Sequence, residues 1–148
     1  QDRMLCSPGA WRRIFRPRYQ RLFDAVREAG AKIWIHSDGW ILEILPDLVD
    51  LGADLINPQH ACMGTRRVGK ILGGRVCVRT DIDRQTVIPH GTPDEVRAAV
   101  REVMDCFGRF DGGVMLHGEI GPDVPFENAE ALYAAFYEDG RYPLEWLG

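Results

Sequence analysis

Long apolar runs are missing from this chain: no stretch of about 18 apolar residues occurs, which excludes an ordinary transmembrane helix. Cysteine is sparse. Cys6, Cys62, Cys77 and Cys106 lie far apart and form no Cys-x-x-Cys pair, so neither a disulfide framework nor a cysteine-rich zinc motif is indicated. A secretory leader pattern is also lacking, and the expected setting is reduced, soluble and cytoplasmic. Positive charge is not in excess. The formal net charge is −4 and both signs are scattered, so no basic stripe exists to track phosphates and nucleic acid is not an expected partner. Finally, no Gly-x-Gly-x-x-Gly follows the first apolar strand, which argues against a dinucleotide-binding sheet.

What is present is an alternation of short apolar strands and amphipathic helices. With 148 residues the chain is sized for one domain, taken as residues 1–148. Ser7-Pro8 reads as a helix N-cap and N1, and Trp11, Ile14, Phe15, Leu22, Phe23 and Val26 follow at helical spacing as a core stripe. Pro17 should kink or split that helix, and Gly30 should stop it.

A strand over 32–36 is followed by a helix over 40–51, a strand over 54–57 and a helix over 65–72. A third strand is read over 75–81. Thr92-Pro93-Asp94-Glu95 forms a capping box that starts a helix with the stripe Val96, Val100, Val103 and Phe107. A fourth strand over 114–117 and a helix over 127–138 complete the series. Four such units imply an α/β fold with parallel strands and right-handed crossovers, here part of a (β/α)8 TIM barrel.

Barrel enzymes keep their chemistry at the carboxyl ends of the strands. In this chain those ends read His36-Ser37-Asp38, Asn57-Pro58-Gln59-His60, Arg79-Thr80-Asp81-Ile82-Asp83 and His117-Gly118-Glu119, while the strand bodies are apolar. His36 and Asp38 stand two apart and leave a strand on the same face. One reading is a divalent metal, zinc first, held by His36, Asp38 and His117, with Glu119 as a fourth ligand or general base. The other is that the same groups bond to one another, to loop backbone or to substrate.

Asp81 is a second catalytic candidate, and Arg79 with Asn57, Gln59 and Trp40 are candidates for binding a small-molecule substrate. An ion pair of Arg79 with Asp81 across the rim is the equal alternative. His60 and Cys62 are read as structural loop residues, and Glu43, Asp47, Asp50, Arg97, Arg101 and Glu102 as solvated helix faces.

The ordered motifs Arg-Pro-Arg-Tyr, Gly-Ala-Lys-Ile-Trp-Ile-His-Ser-Asp-Gly, Leu-Ile-Asn-Pro-Gln, Thr-Asp-Ile-Asp-Arg-Gln, His-Gly-Thr-Pro-Asp-Glu-Val and Pro-Asp-Val-Pro-Phe-Glu-Asn resemble the uroporphyrinogen decarboxylase superfamily. The resemblance covers the whole chain and implies the carboxyl-terminal part of that family's barrel. It implies one of two chemistries. One is cofactor-free decarboxylation of a tetrapyrrole; the other is zinc-dependent methyl transfer involving corrinoid proteins.

His36-Ser37-Asp38 matches the methyltransferase His-x-Cys motif in its histidine and departs from it at Asp38. The decarboxylase-type Asn-Leu-Asp-Pro segment is not reproduced at Thr80-Asp81-Ile82-Asp83, although His117 resembles that branch's late-strand histidine. The expectation is therefore a relative nearer the methyltransferase side, acting by metal-assisted methyl transfer to or from a corrinoid or small molecule. Tetrapyrrole decarboxylation without a cofactor is the alternative. An inactive fragment or binding module is a third, and two copies of a half-barrel could pair as a homodimer to close one.

Overall fold

The computed structural model describes residues 1–147. Two helices, α1 (Pro8–Ile14) and α2 (Arg16–Glu28), precede the first strand, and Ser7 caps α1 by accepting the Ala10 N–H at 3.1 Å. Pro17 sits in the first turn of α2, where it splits the two helices as its missing N–H requires. The split has a cost for the expected core stripe. Trp11 and Phe23 are buried, but Ile14, Phe15 and Leu22 are exposed, because one helical period does not run through two separate helices.

Strand β1 (Trp34–Ser37) leads to a 3-10 turn (Leu42–Ile44) and α3 (Leu45–Asp50). The single helix expected over 40–51 is thus broken, and Pro46 lies in the first turn of the second piece. Next come β2 (Leu55–Pro58), the short α4 (His60–Met63), α5 (Thr65–Leu72), β3 (Cys77–Arg79) and α6 (Val87–His90). The chain ends through α7 (Pro93–Val103), a π turn (Met104–Gly108), β4 (Val114–Met115), α8 (Phe126–Glu138) and a 3-10 turn (Glu145–Leu147).

Both halves of the capping box on α7 form: Glu95 N–H donates to Thr92 Oγ1 at 3.3 Å, and Thr92 N–H donates to Glu95 Oε2 at 2.7 Å. Thr92→Ala is expected to lower stability by about 1 kcal/mol, read from urea unfolding. A change below about 0.3 kcal/mol would mean that packing alone fixes this helix start.

All four strands are parallel and lie in the order β1-β2-β3-β4, as consecutive right-handed crossovers would place them. Between β3 and β4 the ladder outlasts the regular strands, with Val78, Thr80 and Ile82 N–H groups donating to the carbonyls of Gly113, Met115 and His117. That extension aligns Asp81 with His117.

One face of the sheet is sealed by helices. Ile56 and Val78 are fully buried there with Leu45, Val68, Leu72, Val96, Val100 and Leu132. The other face is open. Trp34 is 55% exposed and Met115 46%, although parallel sheets are ordinarily covered on both sides. The result is four β-α units of a barrel with β1 and β4 as its edges.

Two arginines expected on a solvated face have a buried partner instead. Arg97 and Arg101 hold Asp139, which is only 3% exposed, at 2.8 and 3.1 Å. Burial works to raise the pKa of Asp139, but the hydrogen bonds and charges of Arg101 and Arg97 bring it below the ordinary carboxylate range. Arg101 also lies over the Trp146 ring, so this cluster ties the end of the chain to α7. No helix among the described residues is long and apolar enough to cross a membrane.

Candidate active site

The carboxyl ends of the strands converge on a polar network whose centre is Asp81. Asn57 on β2 is buried, and its amide nitrogen donates to Arg79 O and to Asp81 Oδ2, both at 3.1 Å. Its amide oxygen accepts from Arg79 Nη1 at 2.7 Å. Arg79 Nη1 also reaches Asp81 Oδ1 at 3.3 Å, and the guanidinium lies 5.7 Å from the centre of the Trp34 ring. The ion pair across the rim is therefore formed.

His117 completes the network. Its Nδ1 lies 2.8 Å from Asp81 Oδ1, and since an ionised carboxylate only accepts, Nδ1 carries the proton there. Nε2 is left with no protein partner among the described residues. Asp81 itself is 5% exposed while the His117 side chain is 37% exposed. A buried carboxylate thus fixes the tautomer and orientation of an accessible imidazole, which is the arrangement that acid–base work requires.

His36 lies at the end of β1, on the opposite edge of the sheet. Its Nδ1 donates to the Asn57 carbonyl at 3.1 Å, leaving Nε2 3.7 Å from Asp38 Oδ2. Asp38 in turn pairs with Arg84 Nη2 at 2.8 Å, and Arg84 Nη1 pairs with Glu119. Arg84 was not singled out by sequence reasoning. Its signal was available, since it follows directly on the third strand end, but charge in a loop does not announce its partners.

The donors proposed for a metal do not meet. His36 and Asp38 adjoin each other, whereas His117 is bound to Asp81 and Glu119 to Arg84. Among the described residues no three His, Cys, Asp or Glu side chains are grouped so as to hold one ion. The shell of His36, Asp38 and His117 is not assembled, and the donor set as placed does not fit a resident divalent metal.

Two substrate-binding candidates are engaged in structure. Gln59, 5% exposed, accepts the Gly39 N–H at 2.8 Å and donates to Gln85 at 3.2 Å, stitching together the loops after β1, β2 and β3. Trp40 donates from its indole to Glu43 at 2.9 Å and stacks near Arg67, yet one side of it lines a cavity of about 750 Å3 shared with His36, Asp38 and Trp11. His60 and Cys62 have structural contacts, although they lie in the short helix α4 rather than in a loop. His60 meets Thr65 Oγ1 at 3.1 Å and the edge of Phe107, and Cys62 Sγ donates to the Gln59 carbonyl at 3.1 Å.

Comparison with known proteins agrees with this architecture. A solved methyltransferase from Methanosarcina mazei superposes with a TM-score of 0.67 at 24% identity, over 93% of this chain and 39% of that one, which shows a shared fold. A curated uroporphyrinogen decarboxylase from Thermus thermophilus is 26% identical over 134 residues, 89% of this chain and 38% of its own length. The chain therefore spans about two-fifths of each of these relatives. The family model described as uroporphyrinogen decarboxylase (URO-D) matches residues 3–138, and with that coverage the chain belongs to the uroporphyrinogen decarboxylase family.

Proposed function

We propose that this chain supplies the carboxyl-terminal part of a barrel active site that decarboxylates a carboxylate-bearing small molecule, with His117 as the proton donor. The 2.8 Å contact between buried Asp81 and His117 carries the reading. In such a reaction the bond from carbon to the departing CO2 breaks, its electron pair stays on the substrate, and that carbon then takes a proton. An imidazole oriented by a carboxylate is a group that can hold and deliver that proton. Arg79 has N–H groups beyond those given to Asn57 and Asp81, and its planar fork suits a substrate carboxylate. The curated relative, a uroporphyrinogen decarboxylase, makes a tetrapyrrole the substrate to try first.

Metal-assisted methyl transfer to or from a corrinoid or small molecule is the second reading. One observation favours it: His36 spends Nδ1 on the Asn57 carbonyl and turns Nε2 towards Asp38, so Nε2 is the nitrogen available to a metal. The described residues place no third donor beside them, which counts against it.

The test uses a complete barrel carrying this chain, a tetrapyrrole polycarboxylate and a chelator. Release of CO2 is expected to survive chelation and to fall at least about 100-fold in Asp81→Asn, whose amide no longer fixes the imidazolium. Loss of turnover on chelation, restored by zinc, would overturn decarboxylation in favour of the metal reading.

A further inference from the structure

We infer that Arg84 is the resident cation of the rim: it binds Asp38 and Glu119 together and keeps divalent metal ions off them. These two carboxylates come from the ends of β1 and β4, the two edges of the sheet, with two strands between them. Left alone, like charges brought together at one rim repel. Arg84 uses separate nitrogens for the two, Nη2 to Asp38 Oδ1 at 2.8 Å and Nη1 to Glu119 Oε2. The hydrogen bond that Arg84 donates to Glu119 raises the Arg84 pKa, so the guanidinium stays charged.

The backbone around Arg84 is held on both sides. Ile82 N–H donates to the His117 carbonyl at 3.1 Å, and Asp83 Oδ1 accepts the N–H groups of Gln85 and Thr86, each at 3.0 Å. The Gln85 side chain is bound to Gln59. Arg84 is thus delivered by a fixed turn, and a tethered cation has a high effective concentration against any ion arriving from solution.

His36 Nε2 stands 3.7 Å from Asp38 Oδ2, so removal of Arg84 would leave one imidazole and two carboxylates without a counter-cation at the rim. With Arg84 in place these three side chains are not grouped to hold an ion, but their donor types are those of a hard or borderline divalent site. The guanidinium accordingly occupies the electrostatic role that a metal would otherwise fill, and it acts on the site whichever chemistry His117 performs.

Titration calorimetry of the 148-residue chain with MnCl2 alone tests this, manganese being chosen because the four cysteines are poor ligands for it. Arg84→Gln is expected to bind Mn2+ at least about tenfold more tightly than the natural sequence, and adding Asp38→Asn to it should abolish the gain. Arg84→Lys keeps the charge on one nitrogen and should gain less than Arg84→Gln. Far-UV circular dichroism on each variant shows that the fold is retained. An equal gain in Arg84→Lys, a gain that persists with Asp38→Asn, or equally tight binding by the natural sequence would overturn the inference.

Discussion

Replacing His117 with alanine in a complete barrel should lower kcat by about 100-fold to 10,000-fold while changing KM far less. Asp81 accepts from Nδ1, so only Nε2 can exchange a proton with substrate, and alanine removes that nitrogen without disturbing the ladder beneath it. His117→Gln separates shape from chemistry, since it restores a polar side chain but has no ring nitrogen to carry the proton. If His117→Ala keeps kcat within about twofold of the natural enzyme, His117 is a structural neighbour of Asp81 and the decarboxylase reading fails.

Acid should destabilise the fold through His60. This residue is 2% exposed, and burial drives its pKa from 6.5 down to about 4, against the opposing pull of the Asp81 and Asp83 charges. Between those values the unfolded chain binds a proton that the folded chain refuses, so stability falls as pH drops from 6.5 towards 4 and levels off below. At about 1.4 kcal/mol per pH unit the loss approaches about 3 kcal/mol, a large share of a small domain's stability. Urea unfolding across that window measures it, with His60→Gln as the control that should lack this component of the slope. An identical slope in His60→Gln would assign the acid sensitivity elsewhere. Asp139 adds to the same trend lower down, because its depressed pKa gives stability that is lost only as pH falls through its folded value.

His60 also illustrates the limit of reading local sequence. A histidine and a cysteine two apart in a loop are consistent with several roles, and the structural one is realised because Phe107, contributed by the distant π turn, closes over the imidazole. Phe15 shows the converse. Its helical spacing from Trp11 is a sound core signal, but the signal presumes one continuous helix, and Pro17 starts a new one. Arg97 and Arg101 read as surface charge because nothing near them in the chain is acidic and buried; Asp139 reaches them from 38 and 42 residues away.

The sequence by itself determined what short-range physics controls: the strand and helix alternation, the proline and glycine boundaries, the Thr92 cap, and the concentration of polar residues at the strand ends. Each depends on neighbours within one or two turns or on the two-residue period of a strand. Which of those polar residues meet was decided only by the tertiary structure. Asp81 reaches His117 across 36 residues and Arg84 reaches Asp38 across 46, and both contacts exist because parallel strands in consecutive order bring their carboxyl ends to one rim. Spacing in the chain carries no information about those pairings. The register of the sheet does, and it sets His117 against Asp81 and Arg84 between Asp38 and Glu119.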